Sequence, residues 1–78
     1  MKDRVLTVIS QVLGVPVEEL REDSSPATVA VWDSLKHMNL ILAMEEEFGI
    51  YFSDENIRQM LNVGTIVANV SELTPSGR

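Results

Sequence analysis

The sequence predicts an all-α domain, a four-helix up-and-down bundle with a short third helix and a long first loop. Three observations lead there. Leu35 to Phe48 contains no Gly or Pro and is rich in the helix formers Leu, Met, Glu, Ala and Lys. Gly49 closes that stretch, free to adopt the left-handed conformation common at helix ends. Near the start, Val5, Leu6, Ile9, Val12 and Leu13 recur at helical spacing. The 78 residues make one domain, 1–78, near the lower limit for a self-sufficient core, and 45% apolar content argues against disorder.

The first helix spans Asp3 to Leu13, with Thr7, Ser10 and Gln11 largely opposite its apolar face. Gly14 and Pro16 stop it. A long connection follows from Val15 to Val31, punctuated by Pro16, Ser24, Ser25 and Pro26, with one helical turn at Val17-Glu18-Glu19-Leu20. A loop of this length needs packing of its own or a function, and Val15, Val17, Leu20, Val29 and Val31 are available to pack it. Trp32, the one tryptophan, is expected to cover the bundle end, or alternatively to border a ligand or partner surface.

Asp33 and Ser34 both suit the N-cap of the second helix, since either side-chain oxygen can accept from an unpaired first-turn N–H. A hydroxyl therefore sits where backbone N–H groups and the positive end of a helix dipole converge, a place to hold a phosphate. At about 100° per residue, Leu40, Ile41, Met44 and Phe48 share one arc with His37 in its middle. Leu35, Met38 and Leu42 form a second apolar arc with Ser34 at its edge. One stripe suffices for a surface helix. The second marks either a central helix with neighbours on two sides or a surface that meets a partner or cargo.

After Ile50-Tyr51-Phe52, Ser53 caps a short third helix through about Gln59, with Ile57, Met60 and Leu61 inward. Thr65 after Gly64 is expected to cap the last helix, burying Ile66, Val67, Val70 and Leu73. Thr74 to Arg78 reads as a frayed tail.

Composition excludes several function classes. The absence of Cys removes disulfides, thiolate metal sites and a cysteine nucleophile, and a single His makes an imidazole metal site improbable. Glu45, Glu46 and Glu47 fan around a helix without EF-hand spacing, so no metal is assigned. With 5% aromatic content the core must be mostly aliphatic. No apolar run spans a membrane and Met1 to Arg4 begins no signal peptide, so a cytoplasmic location is the expectation. A net charge of −6 has the wrong sign for nucleic acid and suits steering onto basic partner surfaces. His37 lies one turn from Ser34, but no oxyanion donor or orienting acid accompanies it. No residue is assigned a catalytic role, and His37 is expected to pack at the core edge or the loop.

Asp33-Ser34-Leu35, the apolar helix behind it and Met44-Glu45-Glu46-Glu47-Phe48-Gly49-Ile50 resemble the acyl carrier protein family, over nearly the whole chain. The resemblance implies 4′-phosphopantetheine attached to Ser34, taken from coenzyme A by a phosphopantetheinyl transferase. It also implies Asp33 and Leu35 as cofactor-binding neighbours, with Asp33 contributing to transferase recognition, and a mobile third helix lining a pocket for an acyl chain. Leu35, Met38 and Leu42, with Glu45 and Glu46 around them, are expected to form the docking surface. The partners implied are an acyl-loading ligase or synthase and acyltransferases of fatty-acid or polyketide biosynthesis, visited by a monomeric, free-standing carrier. Where the family commonly has Gly and a small residue, this chain has Val31 and Trp32. Lys36 and Asn39 replace early acidic residues. The first departure points to a specialised carrier and the second to a change in its partner set. Two other readings fit the residues: an aminoacyl or peptidyl carrier loaded by an adenylating enzyme, and an unmodified helical interaction module.

Overall fold

A computed structural model describes residues 2–74. Pro75, Ser76, Gly77 and Arg78 of the expected tail lie outside the described residues. The elements are α1 (Lys2–Leu13), a 3-10 turn (Val17–Glu19), α2 (Ser34–Phe48), α3 (Asp54–Gln59) and α4 (Val63–Leu73). No strand occurs among the described residues. The predicted all-α, four-helix architecture with a short third helix and a long first loop is the one observed.

Helix α1 buries Val5, Val8, Ile9 and Leu13, with Leu6 and Val12 packed at the margin. It ends at Gly14, whose φ of 71° lets its N–H reach Ser10 O at 2.8 Å. The Ser10 hydroxyl donates to Val15 O at 2.6 Å, latching the start of the loop. Two contacts show that α1 and α2 run antiparallel. Lys36 Nζ, at the start of α2, lies 3.5 Å from Val12 O at the end of α1. Arg4, at the start of α1, pairs with Glu47 at 3.1 Å and covers the Phe48 ring at 4.6 Å. In each case a cation sits at a helix C-terminus, where the dipole favours it.

The loop is packed by fewer side chains than the sequence offered. Leu20 is buried and Val15 and Val29 are partly buried, but Val17 and Val31 are exposed. Val17 opens the tight 3-10 turn, and the extended backbone at Leu20 turns that residue inward instead. At the other end Trp32, not Val31, takes the inward place.

The start of α4 corrects a second expectation. Asn62, not Thr65, is its N-cap, and Gly64 and Thr65 lie within its first turn. Thr65 N–H donates to Asn62 Oδ1 at 2.8 Å while Asn62 N–H donates back to Thr65 Oγ1 at 3.1 Å, a capping box. Val63 N–H and Gly64 N–H donate to the loop carbonyls of Ser24 at 3.0 Å and Glu22 at 2.8 Å. The first-turn donors that a helix leaves orphaned are thus satisfied by the long loop. Gly64 permits this approach, because a Cβ there would meet Glu22 O at 3.2 Å.

Ser53 caps α3 as expected. Met60 is buried and Ile57 partly so, but Leu61 is 65% exposed. Helix α3 has ended by then, and the chain turns at Met60 so that one side chain of the pair points in. A polar chain joins α3 to α4. Asn56 Nδ2 donates to Asn69 Oδ1 at 2.8 Å, and Asn69 Nδ2 donates to Thr65 O at 2.8 Å. Asn69 is buried beside Ile66 and Val70, while Val67 and Leu73 are only partly covered. Thr74, read as the first tail residue, is instead the C-cap of α4, its N–H and hydroxyl both donating to Val70 O. The core is aliphatic apart from Trp32 and Phe52.

Asn69→Ala should lower stability by about 1–3 kcal/mol, the range for breaking a buried hydrogen-bonded pair. Amide exchange should speed up most in α3, and uniform acceleration across all helices would contradict the local tie. Gly64→Ala should not deliver the gain of about 1 kcal/mol that the same change brings at an open helical position, as urea unfolding would read.

Candidate functional site: the head of helix α2

Asp33 and Ser34 were equivalent cap candidates; the backbone separates them. Asp33 has extended φ and ψ of −100° and −173°, and its Oδ1 accepts the Lys36 N–H at 2.8 Å. Ser34 is the first helical residue, so its hydroxyl is not spent on capping and is exposed. The N–H groups of Ser34 and Leu35 have no partner among the described residues. An exposed hydroxyl, two free N–H groups and the positive end of a 15-residue helix meet at one point. The residues present fit a phosphate ester at Ser34.

Trp32 lies immediately before, with 1% of its surface exposed. Its ring covers the bundle end, and its Nε1–H donates to His37 Nδ1 at 3.0 Å, the two rings stacked 5.9 Å apart. An indole nitrogen can only donate, so Nδ1 must carry the lone pair and Nε2 the proton. That bond is missing from any periodicity argument, because it crosses from loop to helix at a separation of five residues. It also removes His37 as a base for Ser34, since the lone basic nitrogen is occupied. Burial holds the imidazole below its ordinary value of 6.5.

Beside Ser34 lies an open groove of roughly 750 Å³, walled by Pro26, Ala27, Trp32, His37, Met38 and Leu61. Of the two apolar arcs on α2, Leu40, Ile41 and Met44 are buried in the core with Phe48 at its margin. Leu35, Met38 and Leu42 face outward at 69%, 52% and 57% exposure. The second stripe is therefore a surface, not a second core contact. Tyr51, at 88% exposure, lines a second groove together with Leu42, Glu45 and Glu46. Glu46 is exposed beside this stripe, whereas Glu45 is half-buried, its carboxylate accepting the Phe52 N–H at 2.9 Å. Glu47 is engaged by Arg4. Lys36 reaches the end of α1, which gives the basic residue at this position a structural task.

Among the described residues no cluster of His, Asp or Glu could hold a metal ion. Nor is any helix among the described residues long and apolar enough to cross a membrane.

Because the folded state favours neutral His37, the unfolded chain takes up the proton first on acidification. Stability from this group is complete above pH 6.5 and is lost as pH falls through the lower folded value. Urea midpoints followed by the single tryptophan should fall with pH in that window, with the fall reduced in His37→Gln. Identical profiles would remove the assigned role of the ring.

Comparison with known proteins agrees with this geometry. Residues 3–70 match the family model described as "Phosphopantetheine attachment site". An acyl carrier protein of Nitratidesulfovibrio vulgaris (strain DP4) is 35% identical over 71 residues, covering 91% of this chain and 93% of that protein. One from Acidothermus cellulolyticus is 28% identical over 79 residues, covering 96% and 94%. The solution structure of holo acyl carrier protein from Geobacter metallireducens superposes with a TM-score of 0.83 at 29% identity, covering 92% of this chain and 83% of that one. The chain thus belongs to the phosphopantetheine-attachment family of acyl carrier proteins, a carrier and not a catalyst, whose cofactor is covalently bound 4′-phosphopantetheine.

Proposed function

We propose that Ser34 is the attachment point and that the chain is a single-domain, monomeric carrier of acyl intermediates in fatty-acid, polyketide or related biosynthesis. The observation that carries the assignment is the exposed Ser34 hydroxyl at the first position of α2, with unpaired N–H groups of Ser34 and Leu35 beside it. Ser34 Oγ attacks the diphosphate of coenzyme A in the active site of a phosphopantetheinyl transferase. The serine O–P bond forms, the diphosphate P–O bond breaks with adenosine 3′,5′-bisphosphate as the leaving group, and the serine proton passes to a base of that enzyme, since His37 has none to offer. The bound group supplies a thiol on which cargo is held as a thioester. Asp33 keeps the helix start in place through its cap, and the two N–H groups and the dipole stabilise the phosphodiester charge.

Leu35, Met38 and Leu42 present an apolar strip to the transferase, the loading enzyme and acyltransferases, with Glu46 supplying charge at its far end. Glu45 contributes less to docking than its neighbour because its carboxylate is bonded to Phe52 N–H. Small, electrostatically steered interfaces suit a carrier that must leave each partner after one transfer.

The test is intact-protein mass spectrometry after incubation with coenzyme A, Mg²⁺ and a broad-specificity phosphopantetheinyl transferase. One phosphopantetheine increment is expected, absent in Ser34→Ala, whose helix content should be unchanged because Asp33 is the cap. No increment in folded protein, with several transferases tried, would overturn the attachment and favour an unmodified interaction module.

A further inference from the structure

We infer that His37, held by Trp32, is a positioning residue for the group carried on Ser34, and that the first stretch of that arm lies in the groove beside it. The inference rests on the Ser34 assignment and extends it. Its starting point is the tautomer. Trp32 Nε1–H claims Nδ1, so His37 presents a fixed N–H donor at Nε2. Nε2 makes no bond to a described residue, and it is not a buried orphan, so it faces the solvent side of the ring. The ring has little freedom to turn away. Rotating it would break the Trp32 bond and the stacking on a fully buried indole.

His37 stands one helical turn from Ser34, about 5–6 Å between Cβ atoms. Both line the same groove. The occupant is fixed by covalent continuity, because any group esterified to Ser34 Oγ begins inside it. The chemistry matches in order. A phosphodiester meets the free N–H groups of Ser34 and Leu35. The geminal methyl groups of pantothenate then come level with apolar Met38, Leu61 and Pro26. The hydroxyl and first amide carbonyl follow, and these acceptors come within reach of Nε2–H. Roughly 750 Å³ lies within the range of about 300–1,000 Å³ typical of small-molecule sites. It also gives the exposed Leu61 a use that its expected inward position did not.

The consequence is an arm whose root is held against the protein while its thiol end stays free to reach partners. A neutral donor suits this better than a cation, which would bind the phosphodiester itself.

The experiment uses the full chain converted to the holo form, with the mass increment checked first. Nuclear Overhauser contacts are then sought between the geminal methyls and the methyls of Met38 and Leu61, and the Nε2 nitrogen shift of His37 is compared between apo and holo protein. Wild type should show both contacts and a moved Nε2 signal. His37→Gln, whose amide offers an acceptor to Trp32 and a donor to the arm, should keep the contacts. His37→Phe, similar in bulk with neither group, should lose them. A holo wild type without contacts, or contacts unchanged in His37→Phe, would overturn the inference while leaving the Ser34 attachment standing. Absence of the mass increment itself would bring both down.

Discussion

The burial of Trp32 next to the capping residue Asp33 is the constraint on which the rest of the arrangement depends. One residue is anchored in the core and the next accepts the Lys36 N–H, the third of α2. The helix start is thereby fixed within a residue, and Ser34 has nowhere to go but outward. Burying an indole removes about 150–250 Å² from water, at roughly 25 cal/mol per Å² of apolar area a large contribution for a chain of this length. The usual penalty of burying the indole N–H is offset because His37 accepts from it. A structural need of the core thus also sets the tautomer of the ring facing the groove.

The long loop serves a related end. Its carbonyls at Glu22 and Ser24 satisfy the first N–H groups of α4, and its own Leu20 and Ser24 are buried. It therefore works as a strap across the bundle and not as slack chain, which is why its Pro26 and Ala27 can form one wall of the groove. Helix α3 is tied to α4 by the Asn56–Asn69 bond and the few side chains around it. With so little holding it, this element is the one best placed to move when the groove is filled.

Charge is distributed less simply than a net value of −6 suggests. Three consecutive glutamates at the end of α2 look equivalent as letters. In the folded chain Glu47 is held by Arg4 and Glu45 by a backbone amide, leaving Glu46 the most available of the three. Lys36, which looked like a change of partner preference, lies against the end of α1. Exposed ion pairs contribute little to stability, so their larger effect is on which carboxylates remain for a partner.

The four helices, the Gly49 terminus, a second apolar stripe of Leu35, Met38 and Leu42, and Ser34 at the head of α2 were legible in the sequence, but whether that stripe faced a neighbour or solvent was not. They follow from propensity, period and capping chemistry, which act over three or four residues. What misled was local chemistry that pointed two ways. Gly64-Thr65 reads as a break and a cap, yet lies inside α4, because Asn62 caps better and the loop carbonyls hold the first turn. Leu61 and Val31 are apolar letters whose inward places are taken by Met60 and Trp32. The contacts of Lys36 and Arg4 between α1 and α2, the Asn56–Asn69 tie, the Trp32–His37 bond and the groove beside Ser34 were decided by tertiary structure alone. Each joins groups whose meeting depends on how elements pack. Periodicity reports which face of a helix is apolar, but only the packed neighbours determine what that face, or a single imidazole nitrogen on its edge, will touch.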